Sequence, residues 1–166
     1  MHNIYLIGFM GAGKSTIGKR LSEYMNRPFI DLDETIERGV GSSISEIFAE
    51  QGESCFRDME TAYLRDVSES HDQVVATGGG IIERPENSEI ISNTGQSVFL
   101  KLGWKDLIAR LEQSEHRPLA SMKDGWASTK RLFDRRQPLY AMADHVVDAQ
   151  NLTIDEIVEI IVNRVA

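Results

Sequence analysis

The chain opens on a short apolar run, Ile4-Tyr5-Leu6-Ile7, and then changes period. From Lys14 to Asn26 the apolar positions Ile17, Leu21 and Met25 recur on one helical face, with Lys19, Arg20 and Glu23 on others. Pro28 ends that helix. Phe29 to Asp33 reads as a strand finishing in two carboxylates, and Asp33 is placed to cap a short helix over Glu34 to Arg38. Gly39 to Gly41 breaks the pattern, and Ser43-Ile44-Ser45-Glu46 is a capping box opening a helix through Glu50. After Gly52 a longer helix, Glu53 to Ser70, carries Phe56, Met59, Tyr63 and Val67 on one side. Gln73 to Ala76 is the next strand and runs into Thr77-Gly78-Gly79-Gly80. Pro85 to Ser92 predicts a helix, Ser97 to Leu102 a strand, and Lys105 to Glu112 a helix with Arg110 exposed. Gln113 to Gly125 has no period. Helix returns from Trp126 to Tyr140 with a break or kink at Pro138, His145 to Asp148 is a last strand, and Thr153 and Glu156 cap a final helix through Val165.

Strands alternating with helices predict an α/β fold in three layers, a five-stranded parallel sheet with helices on both faces. Ligands of such sheets bind at the carboxyl ends of the strands. That is where the chemistry-bearing residues cluster. Gly8, Gly13, Lys14 and Ser15 fall on the G-x-x-x-x-G-K-[ST] spacing of a phosphate-binding loop, between a strand and a helix as the motif requires. Glycines let backbone N–H groups approach phosphate oxygens, the helix adds its unpaired amino-terminal donors, Lys14 supplies a point charge, and the Ser15 hydroxyl suits Mg²⁺. The Gln73 to Ala76 strand lacks a terminal Asp that could face the metal, which leaves Asp31 as the candidate for a second oxygen ligand. Taken alone, Asp31-x-Asp33 fits a solvated turn or helix cap as well as a ligand pair, and Gly78 to Gly80 fits a flexible turn as well as a close approach. Arg57, three residues before Glu60 on one helix, fits a surface salt bridge as well as a binding group.

Composition narrows the classes. The 166 residues carry a formal charge of −8, with 27% charged and 41% hydrophobic residues, which argues against a general nucleic-acid or membrane-surface binder and against disorder. An acidic chain that binds anions must gather a few arginines in one cleft. The single cysteine, Cys55, cannot close an internal disulfide, and the first strand starts by residue 3 with no apolar run of membrane-span length. These features predict a cytoplasmic protein.

Read together, the motifs resemble shikimate kinase, within the nucleoside-monophosphate-kinase-like group of phosphate-loop proteins, over nearly the whole chain. The resemblance rests on the phosphate loop, Asp31-x-Asp33-x-x-Ile36-Glu37, Gly41, Ile44, Glu46-Ile47-Phe48, Gly52-Glu53-x-x-Phe56-Arg57-x-x-Glu60, Gly78-Gly79-Gly80, Arg117-Pro118-Leu119 and Arg136-x-Pro138-Leu139-Tyr140. It implies one kinase domain over residues 1–166, with a phosphate loop at 8–15, a substrate-binding region at about 31–60, a mobile lid at about 113–125 and strand order 2-3-1-4-5. The implied reaction moves the ATP γ-phosphate to the 3-hydroxyl of shikimate, on the route to chorismate. By likeness, Gly8, Gly11, Ala12, Gly13, Lys14, Ser15 and Thr16 hold the nucleotide phosphates, and Arg110 and Gln150 lie on the adenine side. Asp33 binds the acceptor hydroxyls and takes the proton, Asp31 and Ser15 hold Mg²⁺, and Lys14 and Arg117 act on the transferred phosphoryl group. Arg57 and Arg136 grip the carboxylate, Glu60 orients Arg57, and Gly78, Gly79 and Gly80 line the pocket. The expected partners are ATP and shikimate, with no nucleic acid or membrane, and the chain is expected to act as a monomer. A gluconate-type sugar-acid kinase shares the fold but does not require the Phe56-Arg57 and glycine-triplet pairing. A nucleotide-binding switch needs no acceptor pocket, and the Asn-Lys-x-Asp guanine motif of GTPases is absent from the chain.

Overall fold

The computed structural model describes residues 2–113 and 124–166. Five strands, β1 (Asn3–Ile7), β2 (Phe29–Asp31), β3 (Val74–Ala76), β4 (Gly95–Lys101) and β5 (His145–Asp148), form one parallel sheet in the order β2-β3-β1-β4-β5. Around it lie α1 (Lys14–Met25), α2 (Leu32–Val40), α3 (Ile44–Ser68), α4 (Pro85–Thr94), α5 (Trp104–Gln113), α6 (Ala127–Tyr140) and α7 (Ile154–Val165). Among the described residues no helix is long and apolar enough to cross a membrane.

Strand order fixes the layers. The connection from β1 moves past β3 to β2, whereas those from β2 to β3 and from β3 to β4 move the other way. Right-handed crossovers therefore put α1 on one face and α3 and α4 on the other. The packing agrees: α1 lies against α7, and α3 against α4. Because the connections leaving β1 and β3 diverge to opposite faces, the carboxyl ends of these neighbours frame a crevice at the topological switch point. Every residue of β1 and β3 is buried, as expected of central strands covered on both faces.

Several boundaries differ from the sequence reading: β4 is Gly95–Lys101, α4 extends to Thr94, and α6 continues through Pro138 to Tyr140; those around β2 and α2 bear on the site. The β2 strand stops at Asp31, and α2 starts at once with Leu32, so Asp33 lies in the first helical turn. Asp31, not Asp33, caps that helix: its Oδ1 accepts from the Glu34 N–H at 3.2 Å. The helix also runs through Gly39 to Val40, and the glycine there answers to packing: a Cβ on Gly39 would fall 1.9 Å from the Tyr63 hydroxyl of α3. The break expected at Gly52 is present as a kink inside α3, with φ of 85°. Both capping boxes form, at Ser43 with Glu46 and at Thr153 with Glu156.

At the opposite end of the sheet a buried side chain ties the strand starts together. Asn3 Nδ2 donates to the Ser70 carbonyl at 2.8 Å, and its Oδ1 accepts from the Gln73 N–H at 3.0 Å. Its neighbour Tyr5 shares a 2.7 Å hydrogen bond with Thr94 at the end of α4. Asn3→Ala would leave these main-chain groups unpaired and should lower the unfolding free energy by about 2 kcal/mol. A reduced urea midpoint at unchanged slope is the expected readout. A midpoint equal to wild type would show that the amide contributes nothing net.

Candidate functional site

The loop after β1 turns back on itself before α1. Gly13 sits at φ of 94°, in the left-handed region where a Cβ is penalised, and caps α1 with no side chain. The first N–H groups of α1 thus lack a capping side chain and suit an anion. Gly8 is required by proximity, because a Cβ there would lie 2.9 Å from the Leu100 carbonyl oxygen of β4. Lys14 Nζ folds over the loop and donates to the carbonyls of Gly8 at 2.7 Å and Phe9 at 3.0 Å. Desolvation of the ammonium lowers its pKa to about 8, against the opposing pull of Asp33 and Asp31. Within the same loop Ala12 is buried, while Gly11 and Thr16 are exposed.

Asp31 serves two neighbours at once. One oxygen caps α2, and the other accepts a hydrogen bond from the Ser15 hydroxyl. Cap and ligand are therefore not alternatives for this residue. Among the described residues there is no group of three or more His, Cys, Asp or Glu that could hold a metal. The Ser15 and Asp31 oxygens nevertheless fit Mg²⁺, a hard ion that usually takes one or two protein oxygens and completes its shell with phosphate and water.

Beside the loop opens a cavity of about 1120 Å³, lined by Met10, Asp33, Phe48, Arg57, Gly79 and Arg136 among others. Its floor is built by the three glycines after β3. A Cβ on Gly80 would fall 2.3–2.5 Å from three atoms of the Arg57 guanidinium. One on Gly78 would lie 2.7 Å from Glu60 Oε1 and 2.9 Å from Asp33 Oδ1. The triplet is a close approach and not merely a flexible turn, since any side chain at either position would displace a charged group.

Those charged groups are held in pairs. Arg57 NH1 donates to Glu60 Oε2 at 2.8 Å, and NH2 reaches Glu53 Oε1 at 3.4 Å. Glu60 is fully buried, and burial pushes its carboxyl up while Arg57 pulls it back. The Asp33 carboxyl is raised as well, first by burial and then by neighbouring Asp31 and Glu37, with Lys14 opposing. Arg57 Nε, Glu60 Oε1 and Asp33 Oδ1 are all buried without a hydrogen-bond partner among the described residues, a cluster of unmet polar groups that suits a polar ligand. Across the cavity Arg136, 4% exposed, donates through Nε to Glu83 Oε1 at 2.7 Å, and the Tyr140 hydroxyl donates to the Gly79 carbonyl.

The geometry thus brings Lys14, Ser15, Asp31, Asp33, Arg57, Gly78, Gly79, Gly80 and Arg136 around one crevice. Arg110 is exposed and donates weakly to the carbonyls of Gly11 and Ala12 at 3.3 and 3.4 Å. Gln150 is also exposed, and its Oε1 lies near Gly103 at the start of α5. Arg117 and most of the segment expected to form a lid lie outside the described residues. Sequence reasoning missed Glu83 and the second acid on Arg57, Glu53. The Glu53 pairing could have been found from its i,i+4 spacing, whereas Glu83 meets Arg136 only in the fold.

A model of the shikimate kinase family matches residues 10–166. The chain is 40% identical over 164 residues to the shikimate kinase of Thermodesulfovibrio yellowstonii, covering 99% of this chain and 95% of that one. It is 41% identical over 165 residues to that of Dictyoglomus turgidum, covering 98% and 96%. Among solved structures it is similar to shikimate kinase from Acinetobacter baumannii in complex with shikimate, with a TM-score of 0.91, 34% identity, and coverage of 98% and 92%.

The depressed Lys14 gives the loop a testable protonic signature. Near pH 8 the ammonium is partly neutral in the free protein, and polyphosphate beside it would restore the charge. Binding must then take up protons, by roughly half a proton per site at pH 8 and none well below it, where Lys14 is already charged. Calorimetric titration with Mg·ATP in two buffers of different ionisation enthalpy reads this directly. Buffer-independent heats, or proton release, would contradict the assignment.

Proposed function

The chain belongs to the shikimate kinase family, and from that membership we propose that it moves the γ-phosphoryl group of ATP onto the 3-hydroxyl of shikimate, giving shikimate 3-phosphate and ADP. The observation that carries this reading is the pair of arginines, Arg57 on α3 and Arg136 on α6, lining one cavity beside the phosphate loop. Each is already held by a carboxylate, Glu60 or Glu83. An acidic protein can receive an anionic acceptor this way because the guanidiniums are planar, permanently charged and pre-oriented.

The remaining roles follow from position. The loop amides, Lys14 and the start of α1 would bind the triphosphate, with Arg110 and Gln150 toward the adenine. Mg²⁺ would be held by Ser15 and Asp31, and when bound it would neutralise charge on the β- and γ-phosphates. Asp33 would orient the acceptor hydroxyl and receive its proton as the new O–P bond forms and the γ-phosphorus bond to ADP breaks. A raised carboxyl is a stronger proton acceptor, so the burial of Asp33 suits that part. Because the transition state is loose in most analyses, positioning and charge should outweigh base strength. Arg117, outside the described residues, would add charge to the transferring group. We read residues 1–166 as one kinase domain acting as a monomer in the cytoplasm.

A coupled assay of ADP release with shikimate, gluconate, AMP and no acceptor tests this function. Turnover should require both Mg²⁺ and shikimate, with little release in the other arms. Equal rates on gluconate, or robust hydrolysis without acceptor, would reject it.

A further inference from the structure

Glu83 has so far been only the acid that holds Arg136, yet it touches both the glycine loop and the arginine helix. It ends a short 3₁₀ turn, Ile81–Glu83, that grows directly out of the triplet: the Ile81 N–H donates to the Gly78 carbonyl at 3.2 Å and the Glu83 N–H to that of Gly80 at 3.0 Å. The turn is braced from two sides. Buried Asn87 donates from Nδ2 to the Ile81 carbonyl at 3.0 Å, and Arg84 pairs with Asp58 of α3 at 2.8 Å. A single oxygen of Glu83, Oε1, accepts from Arg136 Nε and from Arg135 NH2, both at 2.7 Å.

A guanidinium can offer a carboxylate either its Nε side or its two terminal nitrogens. With Nε occupied, the side edge of Arg136 is spoken for. Its NH1 lies toward Gly79, at 3.6 Å from where a Cβ on that residue would be. We propose that Glu83 is a positioning residue that fixes Arg136 so that its terminal nitrogens, and not its Nε edge, receive the acceptor's carboxylate. This rests on the reading that Arg136 binds that carboxylate. Burial raises the Glu83 carboxyl, but the hydrogen bonds from Arg136 and Arg135 outweigh it and hold the group below its ordinary range, so it stays charged at neutral pH. Glu83 and Arg84 together make the turn a strut between α3 and α6, which keeps the two carboxylate-binding arginines at a set spacing.

The contact with exposed Arg135 is the alternative reason for Glu83 to exist, as a salt bridge merely fastening α6. Steady-state kinetics on Glu83→Ala, Glu83→Gln and Arg135→Ala separate the two. Loss of the charged hydrogen bond in Glu83→Ala should raise the shikimate KM roughly tenfold, with kcat and the ATP KM nearly unchanged, and should lower Tm because it leaves the buried Arg136 guanidinium without that partner. Glu83→Gln keeps an oxygen for Arg136 Nε and should recover most of that loss. Arg135→Ala should leave the shikimate KM close to wild type. The proposal is overturned if Glu83→Ala leaves or lowers the shikimate KM, if Glu83→Gln is no better than alanine, or if Arg135→Ala matches Glu83→Ala. Should Glu83→Ala not fold, Glu83→Asp decides, since it keeps the charge but withdraws the oxygen from Arg136 Nε by one methylene: a shikimate-specific rise in KM supports the proposal, and unchanged or equally shifted KM values for both substrates oppose it. Failure of the functional reading would look different, since the unmodified protein would then show no shikimate-dependent turnover at all.

Discussion

The ion pair of Arg57 with Glu60 is the constraint around which the crevice is arranged. A carboxylate with no exposed surface costs several kcal/mol unless it is paired, and removing one partner of such a pair leaves the other charge stranded. The fold meets that demand at 2.8 Å and then builds outward from it. Gly80 must lack a side chain because the guanidinium occupies its Cβ position, and Gly78 must do so because Glu60 and Asp33 close over it. The kink at Gly52 separates the capped first turns of α3 from the part that carries Arg57, so the arginine segment is free to lie along the glycine loop. The pair leaves Arg57 Nε and Glu60 Oε1 without partners, and these are the donors and acceptors a polar ligand would meet.

The candidate phosphate and acceptor sites meet because of topology. The phosphate loop leaves β1 and the glycine loop leaves β3, neighbours whose chains part toward opposite faces. Thr77 seals the junction, its N–H and hydroxyl both donating to the Leu6 carbonyl at 3.2 and 2.9 Å. Lys14 and Asp33 come close enough across it to shift one another's proton affinity. A net charge of −8 is no obstacle to binding anions here, because at this range desolvated, paired groups set the local field and distant surface charges are screened.

Much of this was legible in the sequence where local rules govern. The apolar runs gave the strands, the Ser43 and Thr153 capping boxes marked two helix starts, and the i,i+3 spacing of Arg57 and Glu60 gave their pairing. Asp31 and Asp33 were harder, since strand and helix periods meet between them. Leu32 is fully buried at the first helical position, and that tertiary demand ends β2 early and hands the cap to Asp31. Glu83 was invisible because its partner lies 53 residues away and neither spacing nor composition links them. The role expected of Gly39 as a break failed for the same reason: what requires glycine there is the Tyr63 hydroxyl of another helix.

The proposed acceptor site depends most on recognition of a carboxylate by arginines that the protein's own acids have already oriented. Comparing shikimate with its methyl ester by calorimetry, at fixed nucleotide, probes that interaction, because the ester keeps the ring and hydroxyls and replaces the anionic carboxylate with a neutral group. Losing a desolvated charge pair costs about 2–5 kcal/mol, so the ester should bind at least about thirtyfold more weakly. Equal affinity for acid and ester would contradict the account at its centre.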